Sequence, residues 1–471
     1  MVHEYGVYEQ GAMFSREDFD PMKTISYFCK MYEIELTEEI KKEIEADKVT
    51  IDCYREWITA LGETVLQHPE LGYFEEETSK LVRKTFDELE IAYQYPYAVT
   101  GVKATLSSGK KGPNVCIIGE MDALICKGHP YATQTGVAHA CGHHAQVAAM
   151  LGAAIGIKKS GVMEELGGTV TFMAVPAEEY IDLSSRIQLK NEGKIRYFGG
   201  KQQLFYEGAF DDVDIVMMIH AQTEAPLSTF DTRVTNLGFM AKSITFYGKA
   251  AHGSRPAEGV NALNAAALAI LGVHSNRDTF TEDDKIRIHP IITKGGDVVN
   301  SVPDEVCIET YVRGATFDAI KKGNAAVNRA VQGASQMIGT TVRVEDFIGF
   351  LPLTESLELN QVSEANAKEI LGEDCLVFNG ESVGSSDIGD VSAVLPTIQP
   401  CIGGFGGVIH SKDFLVSDPD VSYVGAAKIL AGTCVDLLLD DCKKANEVIE
   451  KFKPVMTRTE YQAYLDRENF D

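Results

Sequence analysis

The sequence contains no low-complexity tract and no run approaching the roughly 20 apolar residues that a membrane-spanning helix needs. It is also poor in base: 43 Lys and Arg stand against 69 Asp and Glu, a formal net charge of −26. Such a surplus of acid argues against nucleic acid or an anionic membrane as partner, because both are bound through clustered Lys and Arg. The opening residues, MVHEYGVYEQ, lack the basic and apolar regions of a secretory signal, so a cytoplasmic protein is expected. The ten cysteines show no framework spacing and are expected as reduced thiols.

What is present suits a folded enzyme. With 471 residues, 45% of them hydrophobic, the chain exceeds what one core usually serves, and two domains are expected. Residues 119–150, GEMDALICKGHPYATQTGVAHACGHHAQVAAM, hold four of the eleven histidines, two cysteines and two carboxylates. Packing alone does not explain that density. The apolar residues 115–118 read as a buried parallel strand, and residues 145–159 as an Ala-rich helix. The polar cluster then lies where a strand ends and a helix begins, which is where open α/β sheets bind ligands.

The placement recurs along the chain. Residues 169–175, TVTFMAV, read as a second buried strand ending before Pro176, Ala177, Glu178 and Glu179, and residues 213–219, VDIVMMI, as a third ending at His220. His410 follows a short strand at 397–401 and a glycine-rich run. Between them, residues 239–247, 286–292, 305–312 and 341–347 read as strands and 259–277 and 317–338 as helices. That is the β-α-β-β-α-β order of a ferredoxin-like unit. Residues 421–439 read as a long apolar helix with a flexible, charged tail beyond it.

The expected fold class is therefore α/β. Residues 51–236 and 351–471 form a catalytic domain with a mixed, mainly parallel sheet flanked by helices. Residues 237–350 form an inserted ferredoxin-like α+β domain, and residues 1–50 an N-terminal extension.

Cys141, His143, Glu179, His220 and His410 make a coherent ligand set for divalent transition metals, with zinc the first choice and manganese, cobalt or nickel compatible. Five groups are one more than a single tetrahedral ion needs. Two ions about 3.5–4 Å apart, sharing a ligand and a water, use such a set naturally, and Cys141 is suited to bridge them as a thiolate. Of the adjacent Glu178 and Glu179, one can bind metal while the other takes a proton from water. The implied reaction is metal-assisted hydrolysis of an amide.

The segments HPELGYFEEETSKL, GEMDAL, HACGHH, VPAEE, IVMMIH, GKAAHGSRP, GGDVVNSVPDE, GSSD and GVIHS, in this order, resemble the M20 metallopeptidase family. The likeness is strongest to its amidohydrolase branch: aminoacylase-like, hippurate, indole-acetyl-amino-acid and aminobenzoyl-glutamate hydrolases. It spans roughly residues 51–439. The resemblance implies that Cys141, His143, Glu179, His220 and His410 hold two divalent ions, Zn2+ or Mn2+, that Glu178 is the general base, and that Asp122 supports the metal site. It further implies that the inserted domain is a lid that also forms a homodimer. His252 would reach the substrate or its oxyanion, commonly in the other subunit's site, with Asn300 and Arg313 on the substrate's carboxylate side. The expected substrate is an N-acyl amino acid or related small amide. A dipeptidase or carboxypeptidase of the same family, or a silent metal-binding scaffold, are the alternatives.

Four features depart from the family pattern. His144 stands where Asp or Asn usually follows CGH, Glu120 replaces an Asp, and Ser386 with Asp387 replaces a Glu-Asp pair. Glu179 and His220 are also 41 residues apart, a long separation for the branch. His139 and His144 are read as supporting or structural groups, and His68, His129, His274 and His289 as structural or surface residues.

Overall fold

The computed structural model describes residues 49–223, 227–378, 380 and 384–467; the expected N-terminal extension lies outside them up to residue 48. In chain order the elements used below are α1 (Arg55–Gln67), α2 (Glu76–Glu88), β1 (Tyr93–Tyr97), β2 (Gly101–Ser107), β3 (Asn114–Glu120), α3 (His143–Ser160) and β4 (Thr169–Val175). They continue with α4 (Gly200–Tyr206), β5 (Ile215–Met217), β6 (His220–Ala221), β7 (Phe230–Asp231), β8 (Gly238–Tyr247), α5 (Ala262–Ser275), β9 (Arg287–Ile288) and β10 (Ile291–Lys294). After these come β11 (Glu305–Gly314), α6 (Phe317–Ile338), β12 (Thr341–Ile348), β13 (Leu376–Val377), α7 (Ile388–Ser392), β14 (Thr397–Ile398), β15 (Cys401–Ile402), α8 (Ala426–Leu438), α9 (Lys443–Lys451) and α10 (Arg458–Leu465).

The central sheet has the order β1-β2-β4-β3-β5-β14. β4, β3, β5 and β14 run parallel, while β1 and β2 are antiparallel at one edge. All seven residues of β3 are buried, as expected of a parallel strand covered on both faces. α3 is buried from His143 to Ile157, so it is apolar all round because it is a core helix with no solvent face. Ile58, Val82, Phe86, Val147, Phe172 and Leu430 join one core around it. A second cluster, with Tyr73, Leu204, Phe210, Ile388 and Tyr461, fills the opposite side of the sheet.

Residues 238–348 form the expected β-α-β-β-α-β unit, a sheet in the order β9-β11-β8-β12 with β10 also on β11. α5 and α6 bury Ala265, Ala269, Val327 and Val331 against Ile244, Phe246 and Ile308. The strand expected at 286–292 is instead two short pieces, β9 and β10, broken at His289 and Pro290. Proline donates no ladder hydrogen bond and so interrupts a strand there.

Two further expectations are corrected at the C-terminal end. The apolar helix begins as a π-helical stretch, Asp420–Gly425, before α8. Together, residues 420–438 are the one described stretch long and apolar enough to cross a membrane, against the expectation of none, yet 72% of it is buried in the core. Beyond it, where a flexible tail is expected, the described residues pack on the core: α9 buries Ala445 and Val448, and α10 buries Tyr461 and Tyr464. Tyr461 donates to Asp390 Oδ1 at 2.7 Å, which ties the tail to the catalytic sheet.

Candidate metal centre

The parallel strands β3, β4 and β5 end together, so the loops after them converge. Gly142 makes the turn into α3 at φ 89°, and a Cβ there would come within 2.5 Å of Ala221 Cβ. Only glycine fits that left-handed, close-packed position. The turn sets Cys141 and His143 on either side of it, with Cys141 Sγ 3.5 Å from His220 Nε2. After β4, Ala177 adopts φ 57° and its N–H donates to Glu75 Oε1 at 2.9 Å. Arg186, 1% exposed, donates to the Glu179 carbonyl. The glutamate pair is thus held by buried partners on a bent backbone.

Two residues orient the cluster. His143 Nδ1 lies 2.8 Å from the Asp122 carbonyl oxygen and must donate to it, so in the neutral ring Nε2 carries the lone pair. Asp122 Oδ2 accepts the Glu179 N–H at 2.8 Å. Asp122 therefore holds two of the expected ligands at once, one with each end of its side chain and backbone.

Three groups of metal-capable atoms each fall within 4.8 Å of one another: Cys141, His143 and His220; Cys141, Glu179 and His410; and Glu120, His143 and Glu178. Cys141 belongs to the first two. All five expected ligands are thereby brought together, with the cysteine common to both groups. His143 Nε2 and Glu179 Oε1 are buried without a hydrogen bond. They nevertheless lie 3.2 Å from Glu120 Oε2 and 3.1 Å from His410 Nε2 respectively. Buried polar atoms are rarely left unsatisfied, and two such atoms among metal-capable side chains fit divalent cations.

The electrostatics agree. Burial works against the His143 imidazolium, yet Cys141, Glu120 and Asp122 raise its pKa well above the usual histidine range. Burial, then Glu120 and Glu179, push Glu178 well above the carboxylate range. Burial pushes the Cys141 thiol up, so its thiolate requires a nearby cation. The cluster is short of positive charge.

Sequence reasoning missed a second buried cation besides Arg186. Lys201, at the start of α4 and 0% exposed, donates to Glu120 Oε1 at 2.5 Å and to Asp387 Oδ1. Gln146 Nε2 donates to the other Glu120 oxygen at 2.8 Å. The departure Glu120 and Asp387, next to the departure Ser386, are therefore two ends of one buried ion cluster. With its opposing burial outweighed by Lys201 and His143, Glu120 is held down to about 2. Residues 81 and 186 positions from Lys201 in sequence give no local signal of their pairing.

The remaining expected residues are placed differently. His252 is exposed on the inserted unit, its Nδ1 2.7 Å from Ser254 Oγ and its Nε2 3.2 Å from Asn300 Nδ2. Neither His252 nor Asn300 lines the cavity over the cluster. Arg313, on β11, donates to Ser385 Oγ at 2.6 Å, and Ser385 does line it. His139 and His144 are buried ring against ring, centroids 5.6 Å apart, in keeping with a structural role. The cavity, about 510 Å³, is walled by Cys141, Glu178, Glu179, His220 and His410 together with Asp231, Asn236, Ser385, Gln399 and Cys401.

Comparison with known proteins places this geometry. Residues 116–434 match the model of Peptidase family M20/M25/M40. The chain is 26% identical over 422 residues to the Arabidopsis thaliana IAA-amino acid hydrolase ILR1-like 2, covering 83% of this chain and 87% of the relative. It is 27% identical over 455 residues to the human Xaa-Arg dipeptidase, covering 89% and 92%. Among solved structures, a Bacillus subtilis dinuclear metal-binding peptidase of the M20 family superposes with TM-score 0.66 at 22% identity, over 82% of this chain and 99% of that one. The aminobenzoyl-glutamate utilization protein of Klebsiella pneumoniae gives TM-score 0.59 at 18% identity, over 82% and 98%.

Proposed function

The chain belongs to Peptidase family M20/M25/M40, a family of hydrolases acting on C–N bonds, and on that premise we propose that it cleaves the amide of an N-acyl amino acid or a related small amide with two divalent ions. The observation that carries this reading is the pair of unsatisfied buried atoms, His143 Nε2 and Glu179 Oε1, within groups that share Cys141. Cys141, His143, Glu179, His220 and His410 would hold the ions, Zn2+ or Mn2+ by the softness of the donors. When bound, the ions supply Lewis acidity to the amide carbonyl and make water acidic enough to be deprotonated near neutral pH.

The chain's own residues do the rest. Glu178 faces the cluster, its Oε2 3.9 Å from His143 Nε2. Its carboxylate takes a proton from the attacking water and passes it to the leaving nitrogen, and its raised affinity for protons suits both transfers. Asp122 fixes the His143 tautomer and the Glu179 backbone together. A silent scaffold has no use for Glu178 in that place.

The inserted unit is read as a lid and dimerisation domain. β10 is exposed along its whole length, and Val298 and Val299, next to Asn300, are 64% and 104% exposed. An uncovered apolar edge of this kind is suited to pairing with a second copy. In such a homodimer His252 and Asn300 would approach the other subunit's substrate, which accounts for their distance from the cavity of their own chain. The nine free cysteines among the described residues support a cytoplasmic setting.

The relatives divide between names for acyl-amino acid hydrolysis and for dipeptide hydrolysis, so dipeptidase action is the second reading. A screen of N-acyl amino acids and dipeptides with Zn2+ or Mn2+ separates the two. Turnover of either class that disappears in Glu178→Gln supports the mechanism. Turnover unchanged in that variant contradicts it.

A further inference from the structure

After β4 the adjacent glutamates face different partners. Glu178 Oε2 lies 3.9 Å from His143 Nε2, whereas Glu179 Oε1 lies 3.1 Å from His410 Nε2, and the two belong to separate groups of metal-capable atoms. The residue before them, Ala177, is fully buried at φ 57°. A left-handed alanine carries a steric penalty, because its Cβ crowds the following carbonyl oxygen, and it persists only where its surroundings hold it.

What holds it is Glu75, a fully buried carboxylate with both oxygens in use. Oε1 accepts the Ala177 N–H at 2.9 Å, and Oε2 accepts the Thr100 hydroxyl at 2.6 Å. From the other side Gly200 N donates to the Ala177 carbonyl at 3.1 Å. The packing is close as well: a Cβ on Gly72 would come within 2.7 Å of Ala177 Cα.

A glutamate placed just before α2 would ordinarily cap that helix. The structure gives that work to Glu70, whose carboxylate accepts from the Glu77 and Thr78 N–H groups at 3.0 and 2.9 Å and from the Thr78 hydroxyl at 3.0 Å. The Glu75 side chain makes no cap hydrogen bond and turns inward instead. The same loop also fastens the end of β3, because the Glu70 carbonyl accepts the Ala123 N–H at 2.7 Å. Ala123 adjoins Asp122, which takes the Glu179 N–H. Residues 70–75 thus tie down two of the strand ends that carry the cluster.

Resting on the two-ion hydrolase reading above, we propose that Glu75 is a positioning residue: by fixing the left-handed Ala177 peptide it sets the directions of Glu178 and Glu179. Without its carboxylate the Ala177 N–H is buried and unpaired, and the backbone turns toward a relaxed φ. That rotation takes the glutamates out of line with His143 and His410. An ion held by Glu179 is then bound less tightly, and Glu178 is no longer aimed at the attacking water.

Competition with a fluorescent chelator reads Zn2+ affinity without any substrate. Glu75→Leu is expected to weaken one of two Zn2+ ions by roughly ten- to a hundredfold, the range found when a residue that orients a ligand is lost, and to lower kcat with KM little changed. Glu75→Gln keeps an oxygen for the Ala177 N–H and an amide for the Thr100 hydroxyl, and should stay close to wild type. Ala177→Gly in the Glu75→Leu background separates positioning from packing. Glycine takes the left-handed conformation without penalty, so part of the lost affinity should return, whereas a residue needed only for packing predicts no recovery. If Glu75→Leu does not fold, Thr100→Val removes only the Oε2 partner, and a smaller loss of Zn2+ affinity is expected; an unchanged affinity overturns the proposal. Wild-type affinity and kcat in folded Glu75→Leu, or a loss that Ala177→Gly leaves untouched, overturns it equally. Affinity that follows Glu75 and Ala177 without turnover of any amide upholds the positioning role while the hydrolase reading fails, and turnover indifferent to Glu75 does the reverse. A wild type that takes up no Zn2+ ends the two-ion reading and the proposal together, and is recognised before any variant is made.

Discussion

His143 and His252 carry the same side chain in opposite settings. His143 is fully buried at a strand end, held through Nδ1 by Asp122, and its Nε2 faces the cluster with no hydrogen bond. His252 is exposed on the inserted unit, and both its ring nitrogens lie against Ser254 and Asn300. The first is part of a site that one chain completes. The second has its partners on the inserted unit and lines no part of the cavity over the cluster. The catalytic sheet thus gathers the five candidate ligands by itself, and assembly and closure are the role proposed for the inserted unit.

The largest effect that sharpens this contrast is on turnover. Glu178→Gln is expected to lower kcat by about 10²–10⁴ while leaving metal content intact, which single-turnover kinetics and elemental analysis read side by side. Loss of metal along with activity would make Glu178 a ligand and remove the division of labour with Glu179.

Next in size is the buried ion cluster. Lys201→Met leaves Glu120 and Asp387 without their shared cation, and breaking such a pair costs about 3–5 kcal/mol. Chemical denaturation should show that loss, with partial recovery in Lys201→Met combined with Glu120→Gln. Unchanged stability in the single variant would mean that the ion cluster is not formed.

A smaller, pH-dependent effect lies behind the cavity wall. Burial holds the Glu355 pKa up at about 7, above the ordinary 4.5. Because the folded value is the higher one, its contribution is fully present below about 4.5 and is lost as pH rises through about 7. Wild-type stability measured against Glu355→Gln should therefore fall across that window. A difference that stays flat from pH 4 to 8 contradicts the assignment.

The smallest expected effect is at the exposed edge. Val299→Glu should weaken self-association, seen as a shift from dimer toward monomer in light scattering, with little change in thermal unfolding of the catalytic domain. A wild-type monomer at high concentration would break the comparison on the side of His252.

What was legible in the sequence follows the same line. The candidate ligands could be read because each follows a buried strand, and strand ends in a parallel sheet converge whatever the intervening lengths; the 41-position separation of Glu179 and His220 did not displace either. The β-α-β-β-α-β order was visible in its alternation, and the missed break at Pro290 was a local rule overlooked. Lys201 was not legible, since a lysine in GGKQQL looks like any solvated lysine until Glu120 and Asp387 are folded against it. The tail was misread because its charges mask the few residues, Ala445, Val448, Tyr461 and Tyr464, that it buries.

The central claim is that Cys141, His143, Glu179, His220 and His410 together hold two ions. Metal analysis of protein purified without chelator tests it most directly. The account predicts close to two transition-metal ions per chain, falling in Cys141→Ser; full-length folded protein with one ion or none, or with a content that Cys141→Ser does not change, would contradict it.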